Sequence, residues 1–383
     1  MVIRKISYYR VIVSLCLFMF LLSPVFGDEI SAVSFDKELP ENNIVTIQPD
    51  SLRILHNPLT GWVLYASMGV DAADFWAQYD HMYIPELGHN VSVTDYAHTL
   101  YIRASWTDFN PQEDVYGWKI DSNLRAYIEG AYQRNMRLAF RVVVDSRDKR
   151  TEFTPQFVKD AGAKGFMNKG KWSPYSDDPV FQKYYTKFVK ALAKDFNDPS
   201  KVEFIDGFGL GKWGEYHTMI YSTGDDTPKK AVFDWVTDIY SQAFDKVPVV
   251  INYHRWIGAG KDWVDDEHFA ADSEEMLEEA IKKGYSLRHD AFGMTTYYGS
   301  WERRFAKKYR NICPIIMEGG WIVKSHSYWQ DPRGYRKDSH EDVRRGEFDD
   351  SKEAHVNMMD FRFGDTESWF KDAFDLVRRF LRE

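Results

Sequence analysis

Residues 202–215 read Val-Glu-Phe-Ile-Asp-Gly-Phe-Gly-Leu-Gly-Lys-Trp-Gly-Glu, and residues 313–318 read Cys-Pro-Ile-Ile-Met-Glu, followed by Gly-Gly-Trp at 319–321. Each stretch reads as a buried strand that closes on a glutamate, Glu215 in the first and Glu318 in the second. The two glutamates lie 103 residues apart, which holds three strand-helix units of a (β/α)8 barrel of ~250 residues or more. The spacing therefore predicts strands four and seven of such a barrel, which can bring the two carboxyl groups face to face.

Strand-like and helix-like segments alternate through the rest of the chain. The strand-like runs are continuously apolar, as fully buried parallel strands tend to be. Helical faces follow them, for example after Pro179 and again at 369–381, where one closing helix is expected. About eight such units in one domain favour an α/β fold with a single closed TIM barrel. The predicted strands are 61–66, 98–103, 137–145, 202–215, 248–254, 290–297, 313–318 and, with the weakest pattern, 356–362.

The amino terminus has the pattern of a secretory signal peptide. Basic residues at 4, 5 and 10 precede an apolar run at 11–22, which is too short to span a bilayer comfortably. Residues 25–27, which end in Gly27, are small or tolerated at the cleavage positions of a signal peptide. We expect cleavage after residue 27, a polar amino-terminal extension at 28–50, and a barrel at 51–383. The protein would then be secreted or periplasmic, with no membrane association after cleavage.

The net charge and the composition of the chain limit the classes of binding partner that we expect. Loss of the signal peptide takes the formal net charge from −9 to −12, which argues against nucleic acid. Cys313 would be the one remaining cysteine, so no internal disulfide is expected. Aromatic residues make up 16% of the chain, which suits a carbohydrate cleft, although most must fill the core.

The sequence matches the motifs of dinucleotide-binding sites and of metal sites poorly. Residues 209–214 fit a G-x-G-x-x-G pattern, but a dinucleotide-binding motif opens directly into a helix, and this one leads into a loop. None of the 11 histidines forms a His-x-His or His-Glu-x-x-His motif. The sequence therefore predicts neither a cofactor nor a metal.

A glutamate at the end of a buried strand is costly unless it is paired or functional. A structural ion pair with Arg or Lys would explain one such residue. Two of them, each flanked by Gly and Trp, favour a catalytic pair, because two carboxyl groups are what cleaves a glycosidic bond.

The stretch after strand two supports this interpretation. Residues 106–118 resemble the W-x-x-x-x-P-x-x-[GD]-x-Y-x-W segment of secreted (β/α)8 glycoside hydrolases. From about residue 55 onward the chain resembles the retaining clan that carries its acid/base on strand four and its nucleophile on strand seven, with β-galactosidase-like members nearest. It also resembles uncharacterised secreted bacterial barrels with Gly-Lys-Trp-Gly-Glu-aromatic-His on strand four.

The resemblance implies roles for individual residues. Glu215 would be the acid/base and Glu318 the nucleophile. Arg103 would hold the nucleophile ionised, and Tyr297 or Tyr298 would donate a hydrogen bond to it. The clan usually has Asn directly before the acid/base, where this chain has Gly214. Either His217, Asn252 or His254 contacts the sugar instead, or the substrate differs, or the site is inactive. Candidate sugar platforms are Trp62, Trp106, Trp213 and Trp321.

Together these features predict a secreted enzyme of polysaccharide degradation that cleaves a β-linked carbohydrate by a retaining mechanism. The alternative is a barrel without catalytic activity that binds glycans, a possibility raised by Gly214. The sequence leaves open the sugar, the linkage, exo or endo action, and the oligomeric state.

Overall fold

The computed structural model describes residues 59–66, 68–147, 151–260, 267–293, 297–320, 339–361 and 365–382, without the side chains of 267–270. The predicted signal peptide, the predicted extension and Trp321 lie outside these residues. Residues 54–383 belong to one compact unit. Within the described part, no helix is both long and apolar enough to cross a membrane.

Eight parallel strands close into a barrel, which confirms the predicted TIM-barrel fold. Each strand pairs with its neighbours in sequence order. The first strand closes the ring by pairing with the last, at Gly61 and Met358, and with the second, at Val63 and Thr99. The strands are β1 (Gly61–Tyr65), β2 (Ala97–Ser105), β3 (Arg137–Val143), β4 (Val202–Asp206), β5 (Val249–Asn252), β6 (Ser286–Phe292), β7 (Ile315–Gly319) and β8 (Met358–Phe361).

Helices pack around the barrel, and two short antiparallel pairs, Met82–Ile84 with His89–Val91 and Gly165–Asn168 with Lys171–Pro174, lie in loops after β1 and β3. The helices are α1 (Ala72–Asp80), α2 (Trp106–Phe109), α3 (Gly117–Ile120), α4 (Ser122–Gln133), α5 (Gln156–Asp160), α6 (Pro179–Phe196), α7 (Lys229–Ala243), α8 (Glu267–Lys282), α9 (Ser300–Tyr309), α10 (His340–Ala354), α11 (Asp365–Asp372) and α12 (Phe374–Phe380).

Local sequence explains where several of these helices begin. Asp178 caps α6 by accepting from the backbone N–H of Phe181, and Pro179 occupies the first turn. The single closing helix expected at 369–381 is instead two helices. Ala373, with φ −146° and ψ 40°, separates α11 from α12, so the apolar periodicity continues across a break that no Gly or Pro marks.

Strand four is shorter than predicted. It ends at Asp206, nine residues before Glu215. Gly209, Gly211 and Gly214 all have positive φ, which is incompatible with an extended strand but easily adopted by glycine. The segment 207–215 is therefore a loop at the carboxyl end of the barrel.

Strand six begins earlier than predicted and ends at Phe292. Its first residues, Ser286 and Leu287, pair with Val250 and Ile251 of β5. Tyr297 therefore follows the strand rather than closing it.

The barrel interior is divided into an apolar and a charged part. An apolar cluster fills the first part, with Val63, Tyr101, Ala139, Phe204, Val250, Ile316 and Met358 all fully buried. Charged side chains follow along the same strands toward their carboxyl ends. This charged layer comprises Arg103, Arg141, Asp206, Arg288, Asp290, Glu318 and Asp360. In barrels of this kind active sites sit at the carboxyl ends of the strands.

Candidate active site

Glu318 lies at the end of β7, and its side chain is almost completely buried. Oε2 of Glu318 is 2.7 Å from Nη2 of Arg288. The same Nη2 is 2.9 Å from Oδ2 of Asp360, which pairs with Glu318 in the strand register. Burial raises the pKa of Asp360 to about 8; the charge of Glu318 also raises it, and Arg288 opposes the shift. Asp360 therefore keeps its proton to a higher pH than an ordinary aspartate does.

Two further carboxyl groups lock the arginines in place. Nε of Arg141 is 2.6 Å from Oδ2 of Asp206, and Nε of Arg288 is 2.7 Å from Oδ1 of Asp290. Arg141 also contacts Asp290. Burial raises the pKa of Asp206, whereas in Asp290 the two arginines outweigh burial and lower the pKa. Because each guanidinium is shared between carboxyl groups, this layer has little freedom to rearrange.

Glu215 extends from the loop after β4 toward the same layer. Its Oε1 lies 3.4 Å from Nη2 of Arg103 and 3.5 Å from Nη1 of Arg141. Its Oε2 lies 3.4 Å from Nε2 of His217. The Glu215 side chain is 14% exposed and that of Glu318 is 4% exposed. Of the two carboxyl groups, Glu215 is the one better placed to exchange protons with water.

Backbone contacts hold the Glu215 loop in position. Nη2 of Arg103 donates to the carbonyl oxygen of Trp213 at 2.7 Å. Trp213 has φ 59°, a left-handed conformation that non-glycine residues rarely adopt. His254 forms a second hydrogen bond to this loop. Its Nδ1 accepts from the backbone N–H of Trp256, so its Nε2 carries the proton and donates to the carbonyl oxygen of Glu215 at 2.7 Å.

A chain of ion pairs joins the two glutamates, because Arg141 contacts Glu215 and Asp290, and Arg288 contacts Asp290 and Glu318. Both carboxyl groups therefore belong to one network at the carboxyl end of the barrel. Arg103 also donates to the hydroxyl of Tyr65 at 3.3 Å. The sequence assigned Arg103 to Glu318. The structure adds Arg288 as the arginine in hydrogen-bond contact with Glu318, and Arg103 contacts Glu215.

A small cavity opens beside Glu215 between β4, β5 and β6. His217, Asn252 and His254, the three sequence candidates for a sugar contact, all line it together with Tyr297. The cavity is also lined by residues that no motif in the sequence indicates. These are Trp256, His289, Asp290 and Ala291.

The structure distinguishes Tyr297 from Tyr298. Tyr297 lines the cavity. Tyr298 is 1% exposed, and its hydroxyl lies 3.2 Å from that of Tyr253 in the layer between the barrel and its helices. The two alternatives offered by the sequence therefore lie in different environments, and Tyr297 is the one at the cavity.

Two of the proposed tryptophan platforms are wrong. Trp106 is fully buried, with ring contacts to Phe181, Tyr185 and Phe188 of α6, so it has no face for a sugar. Trp62 is also fully buried and stacks on Phe361 at 4.1 Å. A large aromatic ring that fills the space between barrel and helices stabilises the core.

Trp213 stays a candidate. It is only partly buried, and its ring lies 5.7 Å from that of His217. It is thus close to the cavity beside Glu215. Trp321, the fourth candidate, lies outside the described residues.

The missed residues left a signal in the sequence. Arg141, Asp206 and Asp360 each lie within a predicted strand, with an uncharged, nonpolar residue on either side. A charged side chain in a fully buried strand requires a partner, and several such interruptions at similar strand positions indicate a charged layer.

Comparison with known proteins gives matches only among solved structures. No family model matches the chain, and no curated protein matches it. An exo-β-1,4-mannosidase from Opitutaceae bacterium strain TAV5 is similar at 12% identity with TM-score 0.49, over 84% of this chain and 59% of that chain. This chain thus spans less than two thirds of the length of the mannosidase.

Two other solved structures show similar values. Endo-glycoceramidase II from Rhodococcus sp. is 13% identical with TM-score 0.45, over 79% of this chain and 72% of that one. The intracellular xylanase TsXylA from Thermoanaerobacterium saccharolyticum JW/SL-YS485 is 9% identical with TM-score 0.46, over 79% and 85%. The barrel assignment rests on the closed parallel sheet of this chain itself.

Proposed function

We propose that this protein is a glycoside hydrolase that cleaves a β-linked oligo- or polysaccharide with retention of configuration. Glu318 is the nucleophile and Glu215 the acid/base. The observation that carries the proposal is the network of ion pairs that links the two carboxyl groups at the carboxyl end of the barrel, through Arg141, Asp290 and Arg288. Glu215 also lines a cavity together with polar and aromatic side chains.

In the first step, Glu318 attacks the anomeric carbon as the glycosidic bond breaks, and Glu215 gives its proton to the leaving oxygen. The product is a glycosyl ester of Glu318. Arg288, 2.7 Å from Glu318, stabilises the carboxylate before attack and again when it is released.

In the second step, Glu215 takes a proton from water, and the resulting hydroxide attacks the anomeric carbon. The ester bond breaks, the sugar leaves, and both glutamates return to their starting states. The greater exposure of Glu215 supports its role in this step. A retaining mechanism needs carboxyl carbons roughly 5–5.5 Å apart, and we expect that separation here.

The setting of the reaction is part of the proposal. The basic and apolar pattern of residues 1–27 supports export. The enzyme would then act on carbohydrate outside the cytoplasm, either secreted or in the periplasm.

A second candidate function is glycan binding without catalysis. Gly214 favours it, because this position offers no side chain beside Glu215 to contact the sugar. In that case Glu215 and Glu318 would accept hydrogen bonds from sugar hydroxyls.

Kinetics on a panel of 4-nitrophenyl glycosides separate the two candidates. Wild type is expected to cleave at least one member. Glu318→Gly should abolish turnover, and azide or formate should restore it by entering the space left by the side chain. Glu215→Ala should still form the intermediate from substrates with good leaving groups, and azide should speed its breakdown.

The outcomes are distinct. A glycan-binding barrel would hydrolyse nothing in the panel, and its two variants would differ only in affinity. If wild type cleaves a glycoside and both variants keep full activity without added anion, other residues perform the reaction.

A further inference from the structure

The residues on either side of Tyr216 both reach the cavity beside the loop after β4. Tyr216 itself is fully buried, with its ring against those of Phe208 and Phe233. Glu215 and His217 line the cavity instead. The buried tyrosine therefore anchors the loop, and its two neighbours in sequence present a carboxyl group and an imidazole at one place.

The backbone follows an unusual path through this loop. Trp213, Tyr216 and Thr218 have φ values of 59°, 60° and 51°, which are left-handed conformations that non-glycine residues rarely adopt. A hydrogen bond closes the turn, because the N–H of Lys212 donates to the carbonyl oxygen of His217 at 3.0 Å. Residues in such conformations persist where the surrounding structure enforces them, and they cluster at functional sites.

The two carboxyl oxygens of Glu215 have different neighbours. Oε1 lies 3.4 Å from Nη2 of Arg103 and 3.5 Å from Nη1 of Arg141, whereas Oε2 lies 3.4 Å from Nε2 of His217. A guanidinium group can only donate hydrogen bonds, so Oε1 is the oxygen that accepts. When Glu215 is protonated, its proton therefore belongs on Oε2, the oxygen beside His217.

The imidazole of His217 is itself held in place. Its Nδ1 lies 2.9 Å from Oγ1 of Thr218. Its ring meets those of Trp213 and His254 edge to face, at centroid distances of 5.7 and 5.6 Å. The side chain is 5% exposed. These contacts fix where Nε2 of His217 lies relative to Oε2 of Glu215.

We propose that His217 is a positioning residue for the acid/base, which holds Oε2 of Glu215 so that the proton on this oxygen faces the leaving oxygen of the substrate. The inference rests on the proposed function, because it takes Glu215 to be the acid/base. The arginines hold one oxygen of the carboxyl group and His217 holds the other, so the carboxyl plane has one orientation. A proton donor held in the reacting geometry transfers its proton faster than one that must first rotate.

The proton follows one route through both steps. In the first step it moves from Oε2 of Glu215 to the leaving oxygen as the glycosidic bond breaks. In the second step Oε2 takes a proton from the attacking water, which restores the starting state. His217 holds the carboxyl group in both steps and keeps its own protons.

The test compares two leaving groups on the sugar that wild type cleaves fastest. His217→Ala should lower kcat/KM by about 100-fold for the phenyl glycoside, whose leaving oxygen needs the proton. For the 2,4-dinitrophenyl glycoside, whose leaving group departs without a proton, kcat/KM should change by no more than about 3-fold. With this second substrate kcat and KM should fall together, because the second step also uses Glu215, and azide should restore kcat.

Three further variants separate the polar contact from packing and folding. His217→Phe keeps a ring between Trp213 and His254 but has no nitrogen, so it should behave as His217→Ala does. His217→Gln keeps a polar group at the end of its side chain and should recover most of the lost kcat/KM on the phenyl glycoside. His89, which is exposed in the antiparallel pair after β1, is the control, and His89→Ala should match wild type on both substrates.

The outcomes distinguish the two proposals. Equal losses on the phenyl and dinitrophenyl glycosides, or wild-type activity of His217→Phe on the phenyl glycoside, would overturn the positioning role while leaving the hydrolase assignment intact. If His217→Ala does not fold, His217→Phe and His217→Gln carry the same comparison. If wild type cleaves no glycoside, the hydrolase assignment fails and the positioning role fails with it.

Discussion

Arg288 and Glu318 form a buried ion pair, with Nη2 of Arg288 2.7 Å from Oε2 of Glu318. The same guanidinium contacts Asp206, Asp290 and Asp360, and Arg288 is fully buried. One cation thus contacts four carboxyl groups, on β4, β6, β7 and β8. Arg288 links the proposed nucleophile to the stability of the barrel interior.

Replacing Arg288 should therefore destabilise the protein strongly. Arg288→Met removes a cation that these buried carboxyl groups share, and we expect a loss of roughly 3–5 kcal/mol in the free energy of unfolding, measured by urea denaturation. Arg125, which is exposed and forms an i,i+4 ion pair with Glu129 on α4, provides the control. Arg125→Met should change stability by no more than about 0.5 kcal/mol. If both variants lose a similar free energy of unfolding, the buried carboxyl groups do not depend on the charge of Arg288.

The raised pKa of Asp360 predicts how stability varies with pH. Asp360 titrates at about 8 when folded and near its ordinary 3.8 when unfolded. The folded state therefore binds the extra proton, and this stabilising contribution is lost as pH rises through 8. His289, whose pKa is lowered to about 3 from 6.5, acts with the opposite sign, but only below about pH 6.5.

Between pH 6.5 and 8 the Asp360 effect should consequently be visible. We expect wild type to lose up to about 1.4 kcal/mol of stability per pH unit through this group, and Asp360→Asn to give a flatter curve in urea denaturation. The exposed Asp349 of α10 serves as control, and Asp349→Asn should follow wild type. A wild-type stability that rises over this range, with Asp360→Asn unchanged, would contradict the prediction.

The two tryptophans near the site should behave differently when truncated. Trp106→Ala removes a ring packed against α6 and should cost about 3–5 kcal/mol in stability, with little effect on KM for the panel glycoside. Trp213→Ala should cost little stability but raise KM by about tenfold, which corresponds to about 1.4 kcal/mol of lost binding. If Trp106→Ala folds and changes KM as much as Trp213→Ala, the packing role of Trp106 is wrong.

Gly214 directly precedes Glu215, the proposed acid/base, and Gly209 in the same loop serves as its control. A Cβ at Gly214 would meet its nearest atoms at 3.4–3.5 Å, and Asn tolerates the positive φ of 76°. Gly214→Asn should therefore cost no more than about 1 kcal/mol. A Cβ at Gly209 would lie 2.4 Å from the carbonyl oxygen of Val142, so Gly209→Asn should cost on the order of 3 kcal/mol. Thermal denaturation measures both, and a reversed order would refute the loop geometry.

The sequence alone was sufficient for the barrel. Apolar strands and amphipathic helices alternate along the chain, and this pattern is local, so the eight strands could be located without tertiary information. The weakest candidate, strand eight, is confirmed at Met358–Phe361. Two predictions were wrong. One helix was predicted at 369–381 because the apolar periodicity continues past Ala373, where the helix breaks. Strand four was predicted to reach Glu215, although glycines with positive φ make 207–215 a loop.

The residue types at the site were also predictable, but their partners were not. Glu215 and Glu318 could be singled out from strand position and composition. Which arginine contacts which glutamate depends on the shear between adjacent strands, and that stagger is decided by packing of the whole barrel. The sequence therefore determined that carboxylates gather at the carboxyl end, whereas the closed sheet decided that Arg288 contacts Glu318.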